Sequence, residues 1–98
     1  MSDELYRLHT MLCDAGKDAD YVADSFGDND QIKLWHDEEH DSYTLISDAL
    51  DEDGYPFHGF MWSDYEVLGE NFRDESAGSE GYEEDAGKAA AYLLARLA

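Results

Sequence analysis

The chain reads as an α+β domain: a three- to four-stranded antiparallel sheet in a meander, with N-terminal helices and a C-terminal helix packed on one face. Three observations predict this. Apolar residues recur at helical spacing near both ends, the period changes to two in the middle, and 98 residues suit one modest core. Residues 1–98 are therefore expected to form a single domain.

Ser2 is placed as an N-cap, and Asp3 and Glu4 complement the positive end of a helix dipole. Leu5, Leu8, Leu12 and Ala15 follow on one stripe, and Gly16 stands just past it, so a first helix is expected over 3–15. Ala19, Val22, Ala23 and Phe26, between Asp18 and Gly27, suggest a short second helix. From Gln31 the pattern alternates. Ile32 and Leu34 alternate with Lys33 and Trp35, and beyond the polar stretch Asp37 to Asp41, Tyr43 and Leu45 alternate with Thr44 and Ile46, which reads as a β-hairpin. Asp51 to Gly54 make the next turn, and Tyr55 to Trp62 supply a third strand. Pro56 suits its start, and Gly59 within it signals a bulge or a close backbone approach. Tyr65 to Phe72 offer a short fourth strand, and the Gly, Ser and Glu of 74–81 read as a flexible link. Ala86, Ala90, Leu93, Leu94 and Leu97 then mark one face of a C-terminal helix over 82–97. The core is expected to hold Leu5, Leu8, Leu12, Ile32, Leu34, Leu45, Leu93 and Leu97, with Cys13 in or beside it.

Charge is the strongest statement about function. Twenty-five Asp and Glu face 6 Lys and Arg, for a formal net charge of −19. Nucleic acid and anionic membranes both demand a basic surface, so neither is an expected direct partner. Aromatic residues at 13% and hydrophobic residues at 43% are too many for a disordered acidic tail. The acids run evenly through the chain in runs of at most three, which assigns them to a folded surface. One cysteine excludes an internal disulfide, and the N-terminus lacks the basic and apolar regions of a signal peptide, so the expected location is a cytoplasm.

Motifs for chemistry do not assemble. His36, Asp37, Glu38, Glu39, His40 resembles a zinc-protease signature, but that motif needs Glu directly after the first His and a helix, where this chain has Asp37 and a turn. Two exposed histidines flanking an acidic turn are expected instead. An EF-hand loop with Gly54 at its sixth position would put Ala49 and Phe60 where carboxylates are required. No Asp or Glu stands two residues before Lys17, Lys33 or Lys88, and no phosphate-binding Gly loop or G-x-S-x-G occurs. The reading is a non-enzyme without cofactor or metal. The aromatic residues, including Trp35, Trp62 and Phe60, are expected mainly as buried area, with some left as interface anchors.

Nineteen charges correspond to roughly 32 Å of B-DNA, and a compact chain of this length has about that diameter. Carboxylates on a strand face or a helix face lie roughly 6 to 7 Å apart, close to the spacing of successive phosphates. In size, charge and α+β pattern the whole chain resembles the small acidic DNA-mimic inhibitors of phages and mobile elements, the anti-CRISPR and antirestriction proteins. These share electrostatics rather than a motif, so the resemblance carries over no residue roles. It implies occlusion of a basic nucleic-acid-binding surface, with a CRISPR effector, the surveillance complex of the host cell cytoplasm, as the candidate partner. Asp37, Glu38, Glu39, Asp41, Asp51, Glu52 and Asp53, on the turns of connected strands, are the expected partner-binding residues. The alternative is a haloadapted acidic protein–protein interaction domain without DNA mimicry, since high-salt cytoplasms favour the same surplus of acids over Lys.

Overall fold

The computed structural model describes residues 3–26, 29–50, 52–53, 56–67 and 75–96. Helix α1 (Asp3–Asp14) leads into strands β1 (Ala19–Phe26), β2 (Asn29–Trp35), β3 (Ser42–Leu50), β4 (Pro56–Glu66) and β5 (Glu75–Glu83), and helix α2 (Ala86–Arg96) closes the chain. The strands form one antiparallel sheet in the order β1-β2-β3-β4-β5. Both helices pack on one face of it, α1 over β1 and β2, α2 over β4 and β5, and against each other.

Helix α1 ends where expected and for the expected reason. Gly16 adopts φ +84°, and the amides of Gly16 and Lys17 return to the carbonyls of Cys13 and Leu12 at 2.9 and 3.1 Å. This is a Schellman closure, which a left-handed glycine permits without steric cost. At α2, Asp85 is the cap: its carboxylate accepts the Lys88 amide at 2.9 Å and its carbonyl accepts that of Ala89 at 2.9 Å. Residues 82 and 83, expected in this helix, belong to β5.

Three further expectations are corrected. Residues 19–26 are a strand, because Ala19 and Tyr21 pair with Leu34 and Ile32 and turn their side chains to the core. The helical stripe of Ala19, Val22, Ala23 and Phe26 omitted Tyr21, and a short segment takes the structure its neighbours impose. Residues 75–83 are likewise strand β5 rather than a link. As an edge strand it pairs on one side only, which demands little apolar content. The strand expected over Tyr65 to Phe72 is instead the end of β4 at Tyr65 and Glu66, followed by Val67, and its remainder lies outside the described residues.

Register decides which face each residue takes. Tyr21, Ile32, Ile46, Trp62 and Gly81 are neighbours along one row across all five strands, facing the helices. Leu5, Leu8, Leu12, Ala89, Ala90 and Leu93 close over them. Leu45 belongs to the opposite face, beside Lys33 and Ser63, and is only half-buried, which corrects its core assignment. Leu97 lies outside the described residues. Gly59 does make the anticipated close approach: at φ +120°, an added Cβ would meet the Tyr82 hydroxyl at 2.6 Å. Cys13 is exposed, with its thiol 3.4 Å from His9 Nε2, where it had been expected in or beside the core.

Candidate functional site

The turn joining β2 to β3 carries four of the expected partner-binding residues. Asp37, Glu38, Glu39 and Asp41 are all exposed. The turn is held at its base by the His36 amide on the Ser42 carbonyl at 3.0 Å, and at its tip by His40, which takes φ +57°. The His40 ring stacks on Trp35 at 4.2 Å and 11°, and its Nε2 meets Asp18 Oδ2 at 2.6 Å. Asp20 Oδ2 accepts the Trp35 indole N–H at 3.2 Å. Antiparallel pairing brings Glu66 opposite Ser42 and Glu75 opposite Glu66. One end of the sheet thus gathers Asp18, Asp20, the four turn acids and Glu66 on exposed positions.

Glu52 and Asp53 are exposed at the opposite end of β3, and Asp51 lies outside the described residues. The eight residue steps from Ser42 to Leu50 place the two turns about 26 Å apart. The structure therefore brings Asp37, Glu38, Glu39 and Asp41 together and separates them from Glu52 and Asp53. Near the latter end, a pocket of about 260 Å³ lies between the starts of both helices and the end of β5. Glu4, Glu83, Glu84 and Asp85 line it together with Arg7 and Lys88, so its charge is mixed.

A polar chain crosses the helix-facing side near the acidic end. His36 Nδ1 meets Ser42 Oγ at 2.9 Å, and its Nε2 meets Thr44 Oγ1 at 2.7 Å. Thr44 donates to Asp64 Oδ1 at 2.6 Å, so His36 Nε2 carries the proton that Thr44 accepts. Arg96, at the end of α2, donates to Asp64 Oδ2. Burial works to raise the pKa of Asp64, but the Thr44 hydroxyl, the Arg96 guanidinium and His36 outweigh it and hold the carboxyl below its usual range. Thr44 is 1% exposed, so its hydroxyl is closed to a substrate and the chain acts as a brace between β2, β3, β4 and α2. His36 is half-buried in this brace, which corrects its reading as an exposed flank of the turn.

On the open face, Trp35, Tyr43 and Tyr65 stand side by side on β2, β3 and β4. Trp35 meets Tyr43 edge-on at 5.3 Å, and Tyr43 stacks on Tyr65 at 5.5 Å and 17°. The Lys33 ammonium lies over Trp35 and Tyr43, at 5.0 and 4.5 Å from the ring centroids. The sequence leads one to expect the aromatics mainly as buried area with some left as interface anchors, and Tyr43 is buried at 6% exposed while Trp35 and Tyr65 are half-buried, but it does not set the three in a row. The available signal was the hairpin itself, since closing it over 36–42 sets Trp35 opposite Tyr43.

Among the described residues, no group of three or more His, Cys, Asp and Glu side chains is placed to hold a metal, and no helix is long and apolar enough to cross a membrane. No family model matches the chain, and neither a curated protein nor a solved structure matches it.

Proposed function

We propose that this chain is an acidic mimic of a nucleic-acid backbone that occludes a basic nucleic-acid-binding surface, acting by steric and electrostatic competition and without chemistry of its own. The observation that carries the reading is charge per length. The longest axis of the molecule is 33 Å, and a formal charge of −19 rides on it. At one charge per roughly 1.7 Å of duplex, that is the charge of a DNA segment of the same extent. The acids of the β2–β3 turn, with Asp18, Asp20 and Glu66, form the face we assign to the partner. The target class is the one implied by the resemblance to anti-CRISPR and antirestriction inhibitors: a CRISPR surveillance complex in the host cell cytoplasm.

A second reading has its own observation. Acids occupy both ends of the sheet, 13 of them in residues 1–49 and 12 in 50–98, as a haloadapted interaction domain would distribute them. The deciding experiment is a mobility-shift titration of candidate CRISPR effector complexes on their target DNA. The mimic reading expects loss of DNA binding at stoichiometric protein, relieved by added salt because charge pairs are screened within roughly 8 to 10 Å at 0.1 to 0.15 M. Undiminished DNA binding removes the anti-CRISPR target.

A further inference from the structure

We infer that the Trp35–Tyr43–Tyr65 row is a seat for arginine side chains of the basic partner, and that Lys33 is a built-in occupant which the partner displaces. The inference rests on the reading that the partner is basic, and it adds where and by which group that partner is held.

The position of Lys33 carries the argument. In a chain with 25 acids, its ammonium lies over two aromatic rings, at 5.0 and 4.5 Å from their centroids. The faces of these rings therefore already hold a cation, as the quadrupole of Trp and Tyr allows. Tyr43 is itself buried, at 6% exposed, and the half-buried Tyr65 extends the row by its stack on Tyr43. A carboxylate stands at one margin: Asp20 accepts the indole N–H of Trp35. Rings beside a carboxylate suit a guanidinium better than an ammonium, because its planar group stacks on a ring while its N–H fork reaches the carboxylate. A second copy of this chain is a poor occupant, since it would bring another −19 to the same face. The row also borders the acidic turn through the His40 stack on Trp35, so one partner surface meets both. Further along the open face, Val22, Met61 and Tyr82 are exposed and offer apolar contact beyond the cationic seat.

The test uses two peptides of equal charge, oligo-arginine and oligo-lysine of nine residues, titrated against the full chain at 0.15 M salt. Charge attraction alone treats them nearly alike; a ring seat favours oligo-arginine by about five-fold. Tyr65→Leu, which keeps an apolar side chain on the open face, should erase that preference, with circular dichroism confirming the fold. Lys33→Gln should raise oligo-arginine affinity more than Lys88→Gln, which removes the same charge from the helix layer. Equal binding of the two peptides, or equal effects of the two lysine substitutions, overturns the inference. The competition assay separates this inference from the function on which it rests. If wild type displaces DNA and Tyr65→Leu does so equally well, the seat is wrong and the mimic reading stands. If wild type fails to displace DNA yet keeps a Tyr65-dependent arginine preference, the seat stands and the mimic reading falls.

Discussion

Replacing Thr44 with valine removes one oxygen from the middle of the His36–Thr44–Asp64–Arg96 chain and preserves side-chain shape. Two hydrogen bonds disappear, the 2.7 Å contact from His36 and the 2.6 Å donation to Asp64. The bond to the carboxylate is the costly one: Asp64 is 6% exposed, so water replaces the hydroxyl poorly, and hydrogen bonds to charged groups contribute about 1.5–3 kcal/mol. His36 is half-buried, and water recovers part of its loss. The expected destabilisation is about 2–4 kcal/mol, or roughly 10 to 30 °C in Tm for a domain of this size. Urea unfolding followed by circular dichroism at pH 7 should show a lower midpoint with unchanged slope. Acidification adds an independent check. Because the folded pKa of Asp64 is depressed, its stabilisation is fully present above the unfolded value of about 3.9 and is lost as pH falls through the folded value. Thr44→Val removes one cause of that depression, so the gap between wild type and variant should narrow below about pH 4. A cost under about 0.5 kcal/mol at pH 7, or a gap that does not change with pH, would refute the view of this chain as a buried brace.

Gly81→Ala should destabilise by about 1–3 kcal/mol in the same assay, because the added methyl would overlap the indole of Trp62, itself buried in the core; a neutral result would mean that β5 shifts freely along β4. Reversing Asp37, Glu38 and Glu39 to Lys should slow association with a basic partner and weaken it while leaving the thermal transition intact, as measured by stopped-flow binding and circular dichroism. Reversal of Glu52 and Asp53, about 26 Å away along β3, should have the smaller effect. Under the mimic reading the chain unfolds cooperatively on heating at about 0.15 M salt, where the Debye length is roughly 8 Å. A chain that is unfolded there by circular dichroism and folds only in molar salt would make haloadaptation the leading account.

Sequence alone determined the parts of this protein that depend on local pattern and on summed charge. The Leu5, Leu8, Leu12 stripe ending at Gly16 specifies α1, because helical spacing and a left-handed stop are properties of contiguous residues. The β2–β3 hairpin was legible for the same reason, as was the acidic turn it exposes. The net charge needs no fold at all. Pairing partners, by contrast, lie far apart in the chain, and tertiary structure decided whatever depends on them. Residues 19–26 carry an apolar spacing compatible with a helix and become β1 only because β2 lies alongside. The Gly- and Ser-rich segment 75–83 becomes β5 because β4 supplies its hydrogen bonds. Both Leu45 and Ile46 are apolar, so alternation within β3 leaves its buried face open; the rows with Ile32 and Trp62 choose Ile46 and turn Leu45 outward. The candidate surface follows the same division. Asp37, Glu38, Glu39 and Asp41 were visible as a cluster because a single turn holds them. Only register sets Tyr65 beside Tyr43, because residues some twenty positions apart meet through strand pairing rather than through spacing.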